Sequence, residues 1–352
     1  MYKDKVATEI VNKSVDYIYN FQIDKADSLY KTLSPKFATN PGRIIFDAIL
    51  EYYKQFPIQS NTKEYRAYKA KLQKGAEAAE KRLKIDPYDF ECHYYSLMVY
   101  SLLGRHSAEE DQSMEAVMWS RKSYGYLRSG MQKKESYPEF YLSTGLYNYY
   151  RVRYPEDHPI YKPFLIFFPE GDKAEGLHDL DLATKKATYS RVEAFTYLIY
   201  ITLYYENQPA KALEYSTDLQ GRFPANPLIR ILHTQALMYN GKFADAYGHI
   251  KWLAKWKNPY VIAASKMLQG WYSERNLKNL PEAKENYLKA MEGFKAFNRM
   301  ADGMRSLSMS GLARIAIAEG DKPKARKYYH KVLDITSINT LREEAKKFLA
   351  KN

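Results

Sequence analysis

Cysteine occurs once in this 352-residue chain, as Cys92. A single thiol closes no intramolecular disulfide and builds no thiolate metal cluster; its apolar setting, Phe90–Val99, reads as buried packing. No run of 18 apolar residues occurs, so no segment reads as a membrane-spanning helix. The first twenty residues, MYKDKVATEIVNKSVDYIYN, lack the apolar core of a signal peptide and enter a helix almost at once. A chain trimmed of its signal segment and given a start Met reads this way, and so does a native cytosolic start. The seven histidines (93, 106, 158, 178, 233, 249, 330) are scattered, and none forms H-E-x-x-H or another metal spacing. His178 with Asp179 and Asp181 comes nearest to a ligand cluster, but consecutive helical positions point those three apart. G-x-S-x-G, the P-loop and G-x-G-x-x-G are all missing. Gly171 and Gly176 are spaced like part of a phosphate loop without its Lys-Ser/Thr. Gly171 is therefore read as a special turn conformation before a helix, and Gly176 as a close helix contact. The reading contains no catalytic residue, no cofactor site and no metal site. It excludes an enzyme.

What is present is a charged, foldable chain. Hydrophobic residues make up 45% and mean hydropathy is −0.57, which fits a globular protein rather than a disordered one. The net charge of +13 raises the possibility of a nucleic-acid or anionic-surface partner. Against it, 54 Lys and Arg are interleaved with 41 Asp and Glu. The basic–aromatic runs Lys251–Lys257 and Lys322–Lys331 sit at helical spacing, where aromatics face a core and lysines face water. Nucleic acid is disfavoured.

A repeat organises the C-terminal half. Four segments place a small residue, a larger one four later, and an apolar or small one three beyond: Ala212/Ser216/Leu219, Ala246/Ile250/Leu253, Ala283/Tyr287/Ala290 and Ala325/Tyr329/Val332. The leading alanines are 34, 37 and 42 residues apart. A small residue lets the second helix of a hairpin approach the first, and Gly241 or Gly320 permits a tight reversal. These segments resemble the tetratricopeptide (TPR) repeat, whose period is about 34 residues; its Trp-Leu-Gly signature is absent. Looser anchors precede them at Ala26 with Tyr30 and Leu33, at Ala76 with Leu83, at Ala116 and at Gly176. The expectation is an all-α, TPR-like solenoid of about eight helical hairpins in one domain, 1–352. Within it lie irregular hairpins (1–135), an aromatic insertion (136–186), regular repeats (187–338) and a capping helix (339–352), the last over Thr340–Leu349.

The insertion departs most from the repeat. A helix is expected from Ser136, capped in a box with Glu139 and carrying Pro138 in its first turn, to about Tyr150. Arg151–Gly171 then holds four prolines and cannot be one helix. A second helix starts at Asp172 with Glu175 as its capping partner. Eleven Tyr or Phe fall between Tyr137 and Phe168, about twice the density of the whole chain. Phe164, Phe167 and Phe168 are expected to be buried as this stretch folds back.

Tyr17–Ala26, Gly145–Tyr150, Phe167–Asp172, Gly176-Leu177, Glu193-Ala194 and Arg222–Pro227 together resemble an exported TPR family of Bacteroidetes with undefined biochemistry. The Phe-Pro-Glu-Gly-Asp stretch is more loosely similar to eukaryotic TPR proteins of the inclusion-body clearance type. The bacterial resemblance implies a periplasmic or surface protein and brings no catalytic residue with it. A carboxylate clamp, which some TPR domains build with lysines and asparagines on first helices, is disfavoured: segments 194–205, 228–238, 262–273 and 306–318 contain no Asn.

The functional expectation is a non-catalytic module or scaffold that binds a protein or peptide. Its candidate partner-binding residues are Tyr147, Tyr150, Arg151, Arg153, Tyr154 and Tyr161, which combine flat contact area with charge-assisted donors. Two alternatives are a small-ligand pocket beneath 151–171 and an anionic-polymer surface.

Overall fold

The computed structural model describes residues 4–33, 35–58, 62–157 and 168–351. They form seventeen α-helices and no strand. The chain divides into two compact units, Met1–Leu198 and Ile199–Asn352.

The first unit holds α1 (Lys5–Tyr19), α2 (Ile23–Tyr30), α3 (Pro41–Lys54), α4 (Lys63–Leu83), α5 (Phe90–Glu109), α6 (Ser113–Met131), α7 (Phe140–Asp157), α8 (Lys173–Lys186) and most of α9 (Arg191–Tyr200). The second holds a π turn at Ile201–Tyr205, α10 (Pro209–Arg222), α11 (Pro227–Tyr239), α12 (Phe243–Leu253) and α13 (Pro259–Tyr272), which continues as a π turn to Leu277. It closes with α14 (Leu280–Gly293), α15 (Asp302–Ala318), α16 (Lys322–Ile335) and α17 (Asn339–Lys351). The pairs α1–α2, α3–α4, α5–α6, α7–α8, α11–α12, α13–α14 and α15–α16 pack as hairpins, α10 packs on the π turn at Ile201–Tyr205, and α17 packs on α16. The fold is an all-α solenoid of TPR-like hairpins.

Local chemistry sets the helix starts. Asn40, Asn226 and Asn258 each accept backbone N–H bonds with a proline directly after, so the cap satisfies free donors and the ring presets φ. Gly241 and Gly320 turn the chain at φ 71° and 80°, a region open to glycine without strain. All twelve residues of the four C-terminal repeat segments are buried, none above 2% exposed. Gly270 and Gly311 show why: a Cβ on either would stand within 2.8 Å of the Tyr287 ring. The large repeat residue fills the space that small neighbours leave.

The irregular half packs the same way with two exceptions, the first being Leu83, which is only half-buried. Ala26, Tyr30, Leu33 and Ala76 are buried, but Ala116 is only half-buried, and α6 turns Trp119 inward instead.

Candidate functional site

The aromatic insertion is built on a close crossing of α7 and α8. A Cβ on Gly145 would stand 2.8 Å from the Gly176 carbonyl oxygen, and one on Gly176 would stand 2.7 Å from the Tyr149 nitrogen. The pair must stay glycine for the helices to meet. Asp179, buried in that seam, accepts from Lys134 Nζ at 2.8 Å and from Thr144 Oγ1 at 2.8 Å. His178, its chain neighbour, is exposed, and no metal-holding group of His, Cys, Asp or Glu occurs among the described residues. Asp172 caps α8 as expected, accepting from the Glu175 N–H at 2.9 Å. Gly171 has no left-handed φ; a Cβ there would meet the Asn148 carbonyl at 2.5 Å, so close approach is what demands glycine.

Two expectations are corrected here. The helix does not stop near Tyr150 but runs to Asp157 with Pro155 inside it. A proline this close to a helix end removes a single backbone bond, and its buried ring offsets part of that loss. Ser136 and Glu139 form no capping box. Ser136 donates to the Lys133 carbonyl, and the helix begins only at Phe140. Glu139 instead reaches 49 to 51 residues along the chain. Its carboxylate accepts from the N–H groups of Thr188, Tyr189 and Ser190 and from the Ser190 hydroxyl, at 2.6–3.1 Å. It caps α9, not its own helix.

The six candidate residues are distributed unevenly. Tyr147 donates to the Pro169 carbonyl at 2.7 Å and Arg151 to that of Phe168 at 3.3 Å, so both pin the chain that follows α7. Arg153 is 6% exposed and pairs with Glu156 at 3.3 Å. Tyr150 is half-buried, edge-on to Tyr149 at 5.3 Å. Tyr154 is 45% exposed. Tyr161, Phe164 and Phe167 lie outside the described residues. Phe168 is not buried as expected: it meets Tyr124 edge-on at 4.9 Å and remains 37% exposed.

A second constellation in the first unit was not singled out as a site from sequence. Glu139, by fixing the start of α9, positions Arg191 and Glu193 in its first turn. Tyr19 at the end of α1 donates to Glu193, and Arg191 pairs with Asp16. Beside them Tyr53 lies edge-on to Tyr19 and Phe21, at 5.9 and 6.0 Å, and Tyr52 meets Tyr68 at 5.2 Å. Arg105 sits among these groups. Its side chain is 50% exposed, with the Glu109 carboxylate at 3.6 Å, and the Tyr197, Tyr52 and Tyr68 side chains lie near enough to interact with it. Those neighbours come from α9, α5, α3 and α4. Arg105 is thus a half-exposed cation on α5 with tyrosine neighbours on three other helices. Burial raises the Tyr53 and Tyr68 hydroxyls well above their ordinary value, which keeps them protonated as donors. Burial also raises the Glu193 carboxyl, against the lowering effect of the Tyr19 bond. The sequence signal was present: Tyr17–Ala26 and Glu193-Ala194 stood out as separate motif stretches, and the fold joins them.

Comparison with known proteins adds likenesses of layout. A scan against protein-family models finds no match, and a search of curated proteins finds none. Among solved structures, the crystal structure of the yeast Tom70 aligns over 89% of this chain and 64% of its own, with TM-score 0.41 and 14% identity. The chain thus spans just under two thirds of that protein. The crystal structure of the APC/C hetero-tetramer Cut9-Hcn1 aligns over 95% of this chain and 68% of its own, with TM-score 0.41 and 12% identity.

Proposed function

We propose that this chain is a non-catalytic interaction module that binds a protein or peptide on the tyrosine–arginine cluster around Arg105 in its first unit. The observation that carries the reading is Arg105: half-exposed, ringed by tyrosines from separate helices, and placed where an incoming chain loses water while gaining a charge-assisted bond. Tyrosine and arginine supply large contact area and directed donors at modest entropic cost. The α7 residues Tyr147, Tyr150, Arg151, Arg153 and Tyr154, with Tyr161, belong to the proposal as a second contact region. There Tyr154 offers the most accessible ring, and Tyr147 and Arg151 order the backbone around it. The likeness to exported Bacteroidetes TPR proteins supports an envelope location.

The test uses a random peptide library displayed on phage and selected against the purified protein. Selected peptides should bind at least ten-fold more weakly to Arg105→Ala/Tyr197→Ala, with the thermal midpoint of that variant near wild type. Peptides that keep full affinity for the double variant would remove the Arg105 cluster from the proposal. Loss only in Tyr150→Ala/Tyr154→Ala would move the site to α7.

A further inference from the structure

The outer face of α6 is the most exposed apolar helix surface of the first unit. Met114 is 85% exposed, Val117 51% and Met118 42%. Their spacing of three and four places them on one side of the helix. The same stripe continues through Arg121, Gly125 and Arg128, all exposed. A Cβ on Gly125 would have nothing within 4 Å, so a neighbour can come close to the backbone there. Isolated exposed apolar residues need no explanation, but a contiguous cluster in line with unpaired charge does.

The stripe is also one-signed. Arg121 and Arg128 have no ion-pair partner among the described residues, and Lys122 beside them lies over the Tyr100 and Trp119 rings at 5.0 and 5.3 Å. The one acid of this helix, Glu115, is off the stripe. It accepts from Ser107 at 2.8 Å and faces Lys69 at 3.8 Å. Glu110, just before the helix, faces Lys69 at 3.7 Å. These acids are already engaged at the side of the helix, so among the described residues no acid pairs with the two arginines.

We propose that the outer face of α6 docks an acidic amphipathic helix of a partner protein. The partner's apolar side would cover Met114, Val117 and Met118, and its carboxylates would pair with Arg121 and Arg128. Methionines suit this role because an unbranched, polarizable side chain adapts to varied apolar surfaces. Guanidinium groups favour carboxylates through paired N–H donors. Its residues are distinct from Arg105 and its tyrosine neighbours, so the two proposals are tested by different variants.

The probes are a fluorescent 18-residue helical peptide with leucines on one face and glutamates elsewhere, its lysine counterpart, and phosphatidylglycerol vesicles. The glutamate peptide should bind wild type at least ten-fold more tightly than the lysine peptide, and weaken as salt rises. Both Met114→Ser/Val117→Ser/Met118→Ser and Arg121→Glu/Arg128→Glu should cost ten-fold or more, while Arg105→Ala/Tyr197→Ala should leave binding unchanged. All five α6 substitutions fall on exposed positions, and an unchanged circular dichroism spectrum checks the fold. No binding of the glutamate peptide, or equal binding by the α6 variants, overturns the proposal. Stronger attachment to vesicles than to peptide also overturns it, and makes the face a membrane-surface contact.

Discussion

His233 lies buried on α11, its Nδ1 2.9 Å from Ser216 Oγ and its ring 5.0 Å from that of His249. Burial first, then the nearby His249 and Arg230, pull its pKa from 6.5 down to about 4. The folded value is the lower one, so the unfolded chain takes up the proton first as pH falls. Stability present above pH 6.5 is therefore lost between 6.5 and about 4. Thermal midpoints should decline through that window, and His233→Gln should flatten the decline; identical pH profiles would show that another group is responsible. Ala246 and Ala283 make a steric prediction. Both are fully buried, so Ala→Leu at either should cost about 1–3 kcal/mol by overpacking, read as a lower urea midpoint. At this scale the C-terminal repeat was fully legible, because each anchor's environment is made by residues at fixed spacing. Ala116 was not: a small residue at the right interval cannot tell which way α6 is rotated, and Trp119 decided that.

Among the elements, α17 is held by an ionic network rather than by packing alone. Arg314 donates to both oxygens of Glu274 at 2.6 and 2.9 Å, and to those of Glu344 on α17 at 3.0 and 3.1 Å. Tyr287 and Tyr329 each donate at 2.7 Å to Glu274 and Glu344 respectively. A cavity of about 190 Å³ lies alongside, lined in part by Tyr239, Trp271, Arg275 and Thr340. Burial alone would raise the Glu274 carboxyl, but the Arg314 bonds and charge outweigh it and hold the group below its ordinary 4.5. The stability it contributes is thus present above pH 4.5 and lost as pH falls through the lower folded value. Arg314→Met should cost about 3–5 kcal/mol, since it strands a buried carboxylate, and should weaken the acid dependence below pH 4.5. An unchanged unfolding midpoint would show that α17 is held by its apolar contacts instead. The existence of α17 was legible, as was the start of α8 at Asp172. The end of α7 was not, because Pro155 reads as a stop unless its burial is known. Nor was the partner of Glu139, since local spacing favours Ser136 whereas the donors lie about fifty residues away.

At the scale of the whole molecule, the all-helical repeat architecture follows from periodicity, whereas the cluster around Arg105 depends on which hairpins meet. Glu193 stands out in a motif stretch, but no local pattern in Tyr52 or Arg105 announces that contact. The charge of +13 belongs to this scale too, and its arrangement can be judged from named pairs. Lys31–Asp27, Lys185–Asp181, Lys284–Glu319 and Lys289–Glu285 place lysines beside carboxylates at 2.5–2.8 Å. Such exposed pairs add little stability, but they spread the field and leave few uninterrupted positive stripes. A duplex of random sequence should then find only a few simultaneous phosphate contacts. Six or more contacts would give a log–log salt slope of about −5 or steeper. The expected result is a shallow slope, with no measurable binding of a 20-base-pair fluorescent duplex at about 0.15 M salt, where screening acts over about 8 Å. Micromolar affinity under those conditions, with the steep slope, would show that the excess cations converge on one face. The chain would then bind an anionic polymer rather than a protein, and the α6 arginines would be the first positions to substitute in tracing that face.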